Sequence, residues 1–200
     1  MFNDISITGI TPLDHYPNKC STNNCKQNIN STKLCVPSKK PSIESINEIK
    51  VMLCVHEYKT LKTILGTKVL INIACNIKAI YTALNEEQSL HSAHWDINFY
   101  DFILSNDSSL DRLNTCKQNL FIGLEDICIS NFDTRTIDLS LLYIICINLN
   151  YNNCCTTKRY DCEKEKQIFT LNSTPSKDSD ENAYYCPVEY YGDPHNINNI

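Results

Sequence analysis

The residues best suited to chemistry in this chain are its sulfurs, 12 cysteines in 200 residues. At that density cysteine pairs in disulfides, ligates a soft metal or supplies reactive thiolates. Cys54, Cys75, Cys128 and Cys146 fall inside alternating apolar stretches, where a thiol serves as a small buried hydrophobe and needs no further role. Cys20, Cys25, Cys35, Cys116, Cys154, Cys155, Cys162 and Cys186 fall in Asn/Ser/Thr/Lys-rich segments that read as loops or tails. Those eight are the disulfide and cross-link candidates. The adjacent pair Cys154-Cys155 closes on itself only with a distorted peptide, so each sulfur is expected to find a different partner. Disulfides within or between subunits are the first expectation, with reduced thiols and a metal site as the alternatives.

The other constellations are weaker. Structural zinc uses paired Cys knuckles, whereas Cys20-x4-Cys25 is followed by Cys35 without a second knuckle, and Cys155-x6-Cys162 is no closer. His91 and His94 precede Trp95-Asp-Ile-Asn-Phe99, which alternates as a strand, and an extended chain sends the two rings to opposite faces. Gly9, Gly66, Gly123 and Gly192 are isolated, so no phosphate-cradling loop is present. Glu86-Glu87 and Glu125-Asp126 are adjacent carboxylates, and adjacency along a strand diverges them instead of converging them on a substrate. No cysteine sits in a nucleophile motif. The sequence therefore predicts no catalytic residue, no cofactor site, no metal site and no enzyme activity.

The elements that must position the thiols are strands. Ile49, Val51, Leu53 and Val55 alternate, as do Val69, Ile71, Ile73, Cys75, Ile77, Ala79 and Tyr81. So do Trp95, Ile97, Phe99 and Ile103, with Asp101 interrupting, and Ile137 through Leu149 at every second residue. Leu120, Ile122 and Leu124 change parity before Ile127 and Ile129, which predicts a bulge at Glu125-Asp126. Ile43, Ile46 and Ile49 are spaced by three, which predicts one short helical turn before the first long strand. The fold class expected is all-β, an antiparallel β-sandwich or barrel-like domain with Cys-rich, partly irregular N- and C-terminal arms.

Composition narrows the partners. A formal net charge of −5 without a basic cluster argues against nucleic acid. The longest apolar stretch, Leu139 to Ile147, is far shorter than the ~20 residues of a membrane helix. The start lacks a basic region followed by a hydrophobic one, so no secretory signal is expected and synthesis in a cytoplasm is.

Several motifs are recognisable. Gly66-Thr-Lys68 opens the strand that ends near Ile80-Tyr81, an acidic turn follows, and then comes Gln88-Ser-Leu-His-Ser-Ala-His-Trp-Asp96. Val36-Pro-Ser-Lys-Lys-Pro-Ser-Ile-Glu-Ser-Ile46 precedes the first long strand, and Phe121-Ile-Gly-Leu-Glu-Asp-Ile127 and Asp133-Thr-Arg-Thr-Ile-Asp-Leu-Ser-Leu141 bracket a closing hairpin. This wording resembles the SPOCS domain, a family associated with clostridial spore coats, over roughly residues 34 to 149. The resemblance implies three parts: a Cys-containing N-terminal arm over 1–33, a SPOCS-like β domain over 34–149, and a Cys/Tyr-rich extension over 150–200. Within that extension Gln167 to Leu171 alternates enough for an edge strand, and Ala183 to Gly192 carries four tyrosines.

The resemblance further implies a non-catalytic structural protein of the endospore surface. Such a protein is made in the mother-cell cytoplasm, deposited on the spore, and oxidised once the mother cell lyses. Its expected partners are copies of itself, in a coat or exosporium layer or an appendage filament, and other spore-surface proteins. The alternative is an adaptor docking another morphogenetic protein, and the third reading is a zinc or thiol protein.

Overall fold

The computed structural model describes residues 5–17, 25–105 and 120–147. Seven strands make up almost all of it: β1 (Ser6–Thr8), β2 (Cys25–Cys35), β3 (Ile43–Thr63), β4 (Gly66–Ala83), β5 (Leu90–Ser105), β6 (Leu120–Phe132) and β7 (Thr136–Ile147). A single 3₁₀ turn, Leu13–His15, is the other element. One sheet has the order β1-β3-β4-β5 and the second β2-β7-β6. All pairings are antiparallel except that of β1 with β3. The fold is therefore the all-β sandwich that the period-two patterns predict.

The central strands explain why the layers close. On β4, Val69, Ile71, Ile73, Cys75, Ile77, Ala79 and Tyr81 are all fully buried, and on β7 every second residue from Ile137 to Ile147 is buried. Each such aliphatic contributes about 1.5–3 kcal/mol on leaving water. That exceeds the strand-propensity differences between residue types, which span about 1 kcal/mol. Polar segments are accordingly recruited as strands if they can pair with these two. Residues 25–35, expected to lie in a loop-like arm, are corrected on this ground. They form β2, paired with β7 from Cys25↔Cys146 to Cys35↔Thr136.

The spacing of Ile43, Ile46 and Ile49 also needs correction. All three are buried, yet no helical turn forms there. The register shifts between Ile43 and Ser45 and again between Ile46 and Glu48. Each bulge inserts one residue and so returns an apolar side chain to the core after three positions instead of two. The parity change around Glu125 does correspond to a bulge, between Leu124 and Asp126.

Polar contacts tie the connections down. In the β6–β7 turn the Asp133 carboxylate accepts from the amides of Arg135 and Thr136 at 2.7 Å each. Arg135 then donates its guanidinium to the carbonyls of Pro37 (3.2 Å) and Lys40 (2.6 Å), holding the β2–β3 connection. Tyr81 hydroxyl donates to the Pro41 carbonyl from the same side.

The N-terminal residues strap one side of the sandwich. β1 adds to β3, and Gly9 follows with φ +106°, where an added Cβ would lie 1.9 Å from the Val51 carbonyl oxygen. Thr11 then binds β6, its amide donating to the Leu124 carbonyl (2.8 Å) and its hydroxyl accepting from the Leu124 amide (2.9 Å). The Tyr16 ring rests on Phe121, with centroids 5.5 Å apart. Leu149, the segment Gln167 to Leu171 and the tyrosine-rich run Ala183 to Gly192 lie outside the described residues.

Gly9→Ala should release this strap. The strain of a non-glycine residue at such a dihedral costs about 1–3 kcal/mol, to which the collision with Val51 adds. Hydrogen exchange is expected to quicken at Ile7 and Leu124 in the variant while β4 stays protected; unchanged exchange at both positions would contradict the assignment.

Candidate functional site

The feature most able to act on another molecule is β5. It is the last strand of its sheet, so one of its edges is not paired by any described strand. It meets β4 in 16 consecutive pairs without a register shift, from Thr67↔Ser105 to Thr82↔Leu90. Of the other edge-forming strands, β3 carries three shifts and is covered by β1, β6 carries two and is capped by Thr11, and β2 is unbroken but shorter, with 11 pairs to β7. Bulges and short caps are the ordinary means of blunting an edge; β5 has no bulge against β4, and Lys26 covers it at Phe102. Its outward face also exposes apolar surface, with Leu90 67%, Tyr100 64%, Phe102 42% and Leu104 41% accessible.

Beneath this edge lies a buried carboxylate. Asp101 is 7% exposed and faces the second sheet. It accepts from Lys26 Nζ at 2.9 Å, Asn28 Nδ2 at 2.5 Å, Tyr143 hydroxyl at 3.0 Å and the Phe102 amide at 2.6 Å. Burial pushes the Asp101 carboxyl up, but the donors led by Lys26 outweigh it and hold the group below its ordinary value. Tyr143 moves the other way: burial and the Asp101 charge raise its phenol. The clasp thus joins β5 to both β2 and β7 with an ionised acid at its centre.

Lys26 continues around the edge. Its ammonium donates to the Phe102 carbonyl at 3.0 Å and sits 4.4 Å from the centroid of the Phe102 ring, which Lys68 approaches to 4.7 Å. Both backbone groups of Phe102 are therefore satisfied within the molecule. In an antiparallel strand, alternate residues turn both backbone groups to the same side. Phe102 sets the phase, so Leu90, Ser92, His94, Asp96, Asn98 and Tyr100 direct theirs toward the edge away from β4.

The sulfur candidates separate differently from their expected grouping. Cys35 is disulfide-bonded. Cys25 is a half-buried thiol that opens β2, not a loop residue. Cys20, Cys116, Cys154, Cys155, Cys162 and Cys186 lie outside the described residues. Of the four strand cysteines, Cys75 and Cys146 are buried, Cys54 is half-buried, and Cys128 is exposed on the outer face of its sheet. Burial, with Asp96 adding to it, pushes the Cys75 thiol up to about 12, so it is inert as a nucleophile.

His91 and His94 do lie on opposite faces: His91 packs beside Tyr81 and bonds Ser89 Oγ at 3.0 Å, whereas His94 is paired with Lys78. Among the described residues no three His, Cys, Asp or Glu side chains gather as a metal site, and no helix is long and apolar enough to cross a membrane. No protein-family model, curated protein or solved structure matches the chain.

Asp101 was legible as a break in the Trp95, Ile97, Phe99, Ile103 alternation, because an acid at a core position demands donors. Its partners were not legible, since they come from strands 42 to 75 residues away in sequence.

Asp101→Asn removes the charge on which these donors converge and should cost about 1.5–3 kcal/mol at neutral pH, the range for hydrogen bonds to a charged group. The folded pKa lies below the unfolded one, so the charge contributes stability above the ordinary aspartate pKa of about 3.9 and loses it as pH falls through the lower folded value. Denaturant titrations should therefore show the gap between wild type and variant closing below about pH 4; a pH-independent gap would contradict the clasp.

Proposed function

We propose that this protein is a non-catalytic building block of the bacterial endospore surface that assembles with copies of itself. The observation that carries this reading is the uninterrupted β5 edge, with its backbone groups in phase from Leu90 to Tyr100 and apolar side chains exposed along it. Strand addition along such an edge gives affinity through main-chain hydrogen bonds, and side chains on the outer face add specificity. A contact between two different surfaces of the same subunit propagates into filaments or sheets. The Cys35 disulfide supports a protein that experiences oxidising conditions. Placement on the spore rests on the SPOCS-like motifs between residues 34 and 149 and on the cysteine count. In this reading the extension beyond residue 150, with Cys154, Cys155, Cys162 and Cys186, supplies covalent links between neighbours.

Purified full-length protein, imaged by electron microscopy with and without reductant, should form ordered assemblies when oxidised. Monomers under both conditions would contradict self-assembly. Asn98→Pro should abolish assembly while leaving the monomer folded, because the phase of β5 places the lost amide on the edge away from β4. Asn98→Lys, a milder charged substitution at the same exposed position, should weaken assembly in the same direction.

A further inference from the structure

We infer that Cys25 and Cys146 form an oxidisable pair that closes a cross-strand disulfide within one subunit. The two are direct partners in the β2–β7 register. Directly opposed residues in an antiparallel ladder share a face and hold their Cα atoms about 4.5–5.5 Å apart, inside the 4.4–6.8 Å span that a disulfide bridges. No other described thiol is so placed: Cys54 faces Ala74, Cys75 faces Leu53 and Ile97, and Cys128 faces Ser140. Both sulfurs of the pair are reduced in the structure.

The surroundings decide which sulfur reacts first. Cys146 is 2% exposed and has Phe121 as its partner on the far side, whereas Cys25 is half-buried at the first position of its strand. The Cys25 thiolate attacks a small-molecule disulfide, forming a mixed disulfide and releasing one thiolate. Cys146, after losing its proton to solvent, attacks Cys25 Sγ and expels the second small thiolate. The balance is two protein thiols and one external disulfide giving one protein disulfide and two small thiols.

Two consequences follow from the location. Cys25 precedes Lys26, so the bond fastens to β7 the end of the strand that supplies Lys26 and Asn28 to Asp101. It also withdraws Cys25 from the sulfurs available for links between subunits. The inference is independent of self-assembly and holds for a monomer.

Full-length protein should be equilibrated with oxidised glutathione at low protein concentration, quenched by alkylation, digested and mapped by tandem mass spectrometry. The expected product is a Cys25–Cys146 cross-link in the monomer fraction, with an unfolding midpoint in denaturant above that of the reduced protein. In Cys146→Ala, which keeps a small apolar residue at the site, that midpoint shift should shrink and Cys25 should appear as a glutathione adduct. Cys25 joined to any other cysteine, or Cys146 still alkylated after denaturation of the oxidised protein, would overturn the assignment.

Discussion

One carboxylate sets the corner of this fold on which its candidate interaction edge depends. Asp101 sits between the two sheets, and a charge in that position persists only if donors surround it. Lys26 and Asn28 come from β2, Tyr143 from β7, and the Phe102 amide from β5 itself. The same Lys26 also closes the Phe102 carbonyl. A single buried acid thereby selects the position of β2, which is otherwise polar, and stiffens one end of β5. The hydrophobic faces of β4 and β7 supply the driving force for closure, but they are non-directional. The clasp supplies direction.

The two sides of the sandwich are treated unequally. On the β3–β6 side, bulges interrupt both strands and the N-terminal strap runs from β3 to Leu124 of β6. On the β5 side the ladder runs unbroken, and the surface carries Leu90, Tyr100, Phe102 and Leu104. An edge paired without a break to its own sheet and anchored by a salt bridge beneath it is a preformed template, so an incoming strand would meet little ordering cost on this side of the contact.

The alternation in β4 and β7 could be read directly because their inner positions are occupied by apolar residues without exception. The parity change at Glu125 likewise announced its bulge. Ile43, Ile46 and Ile49 misled, since a three-residue spacing fits either a helical turn or two bulges, and only the pairing with β4 selects the latter. β2 was obscured by its composition: Asn28, Asn30, Ser31 and Lys33 are poor strand formers, and the strand exists because β7 offers it a full ladder. The thiols show the same limit. Cys25 and Cys146 carry no mutual signal along 121 residues of chain, and only strand register brings them opposite one another.

The most direct test is hydrogen exchange along β5 as protein concentration is raised under oxidising conditions. The account predicts that amides at alternate positions from Ser92 to Tyr100 gain protection with concentration, while β6 amides are unaffected. Exchange in β5 that is independent of concentration, or protection that appears along β6 instead, would contradict it.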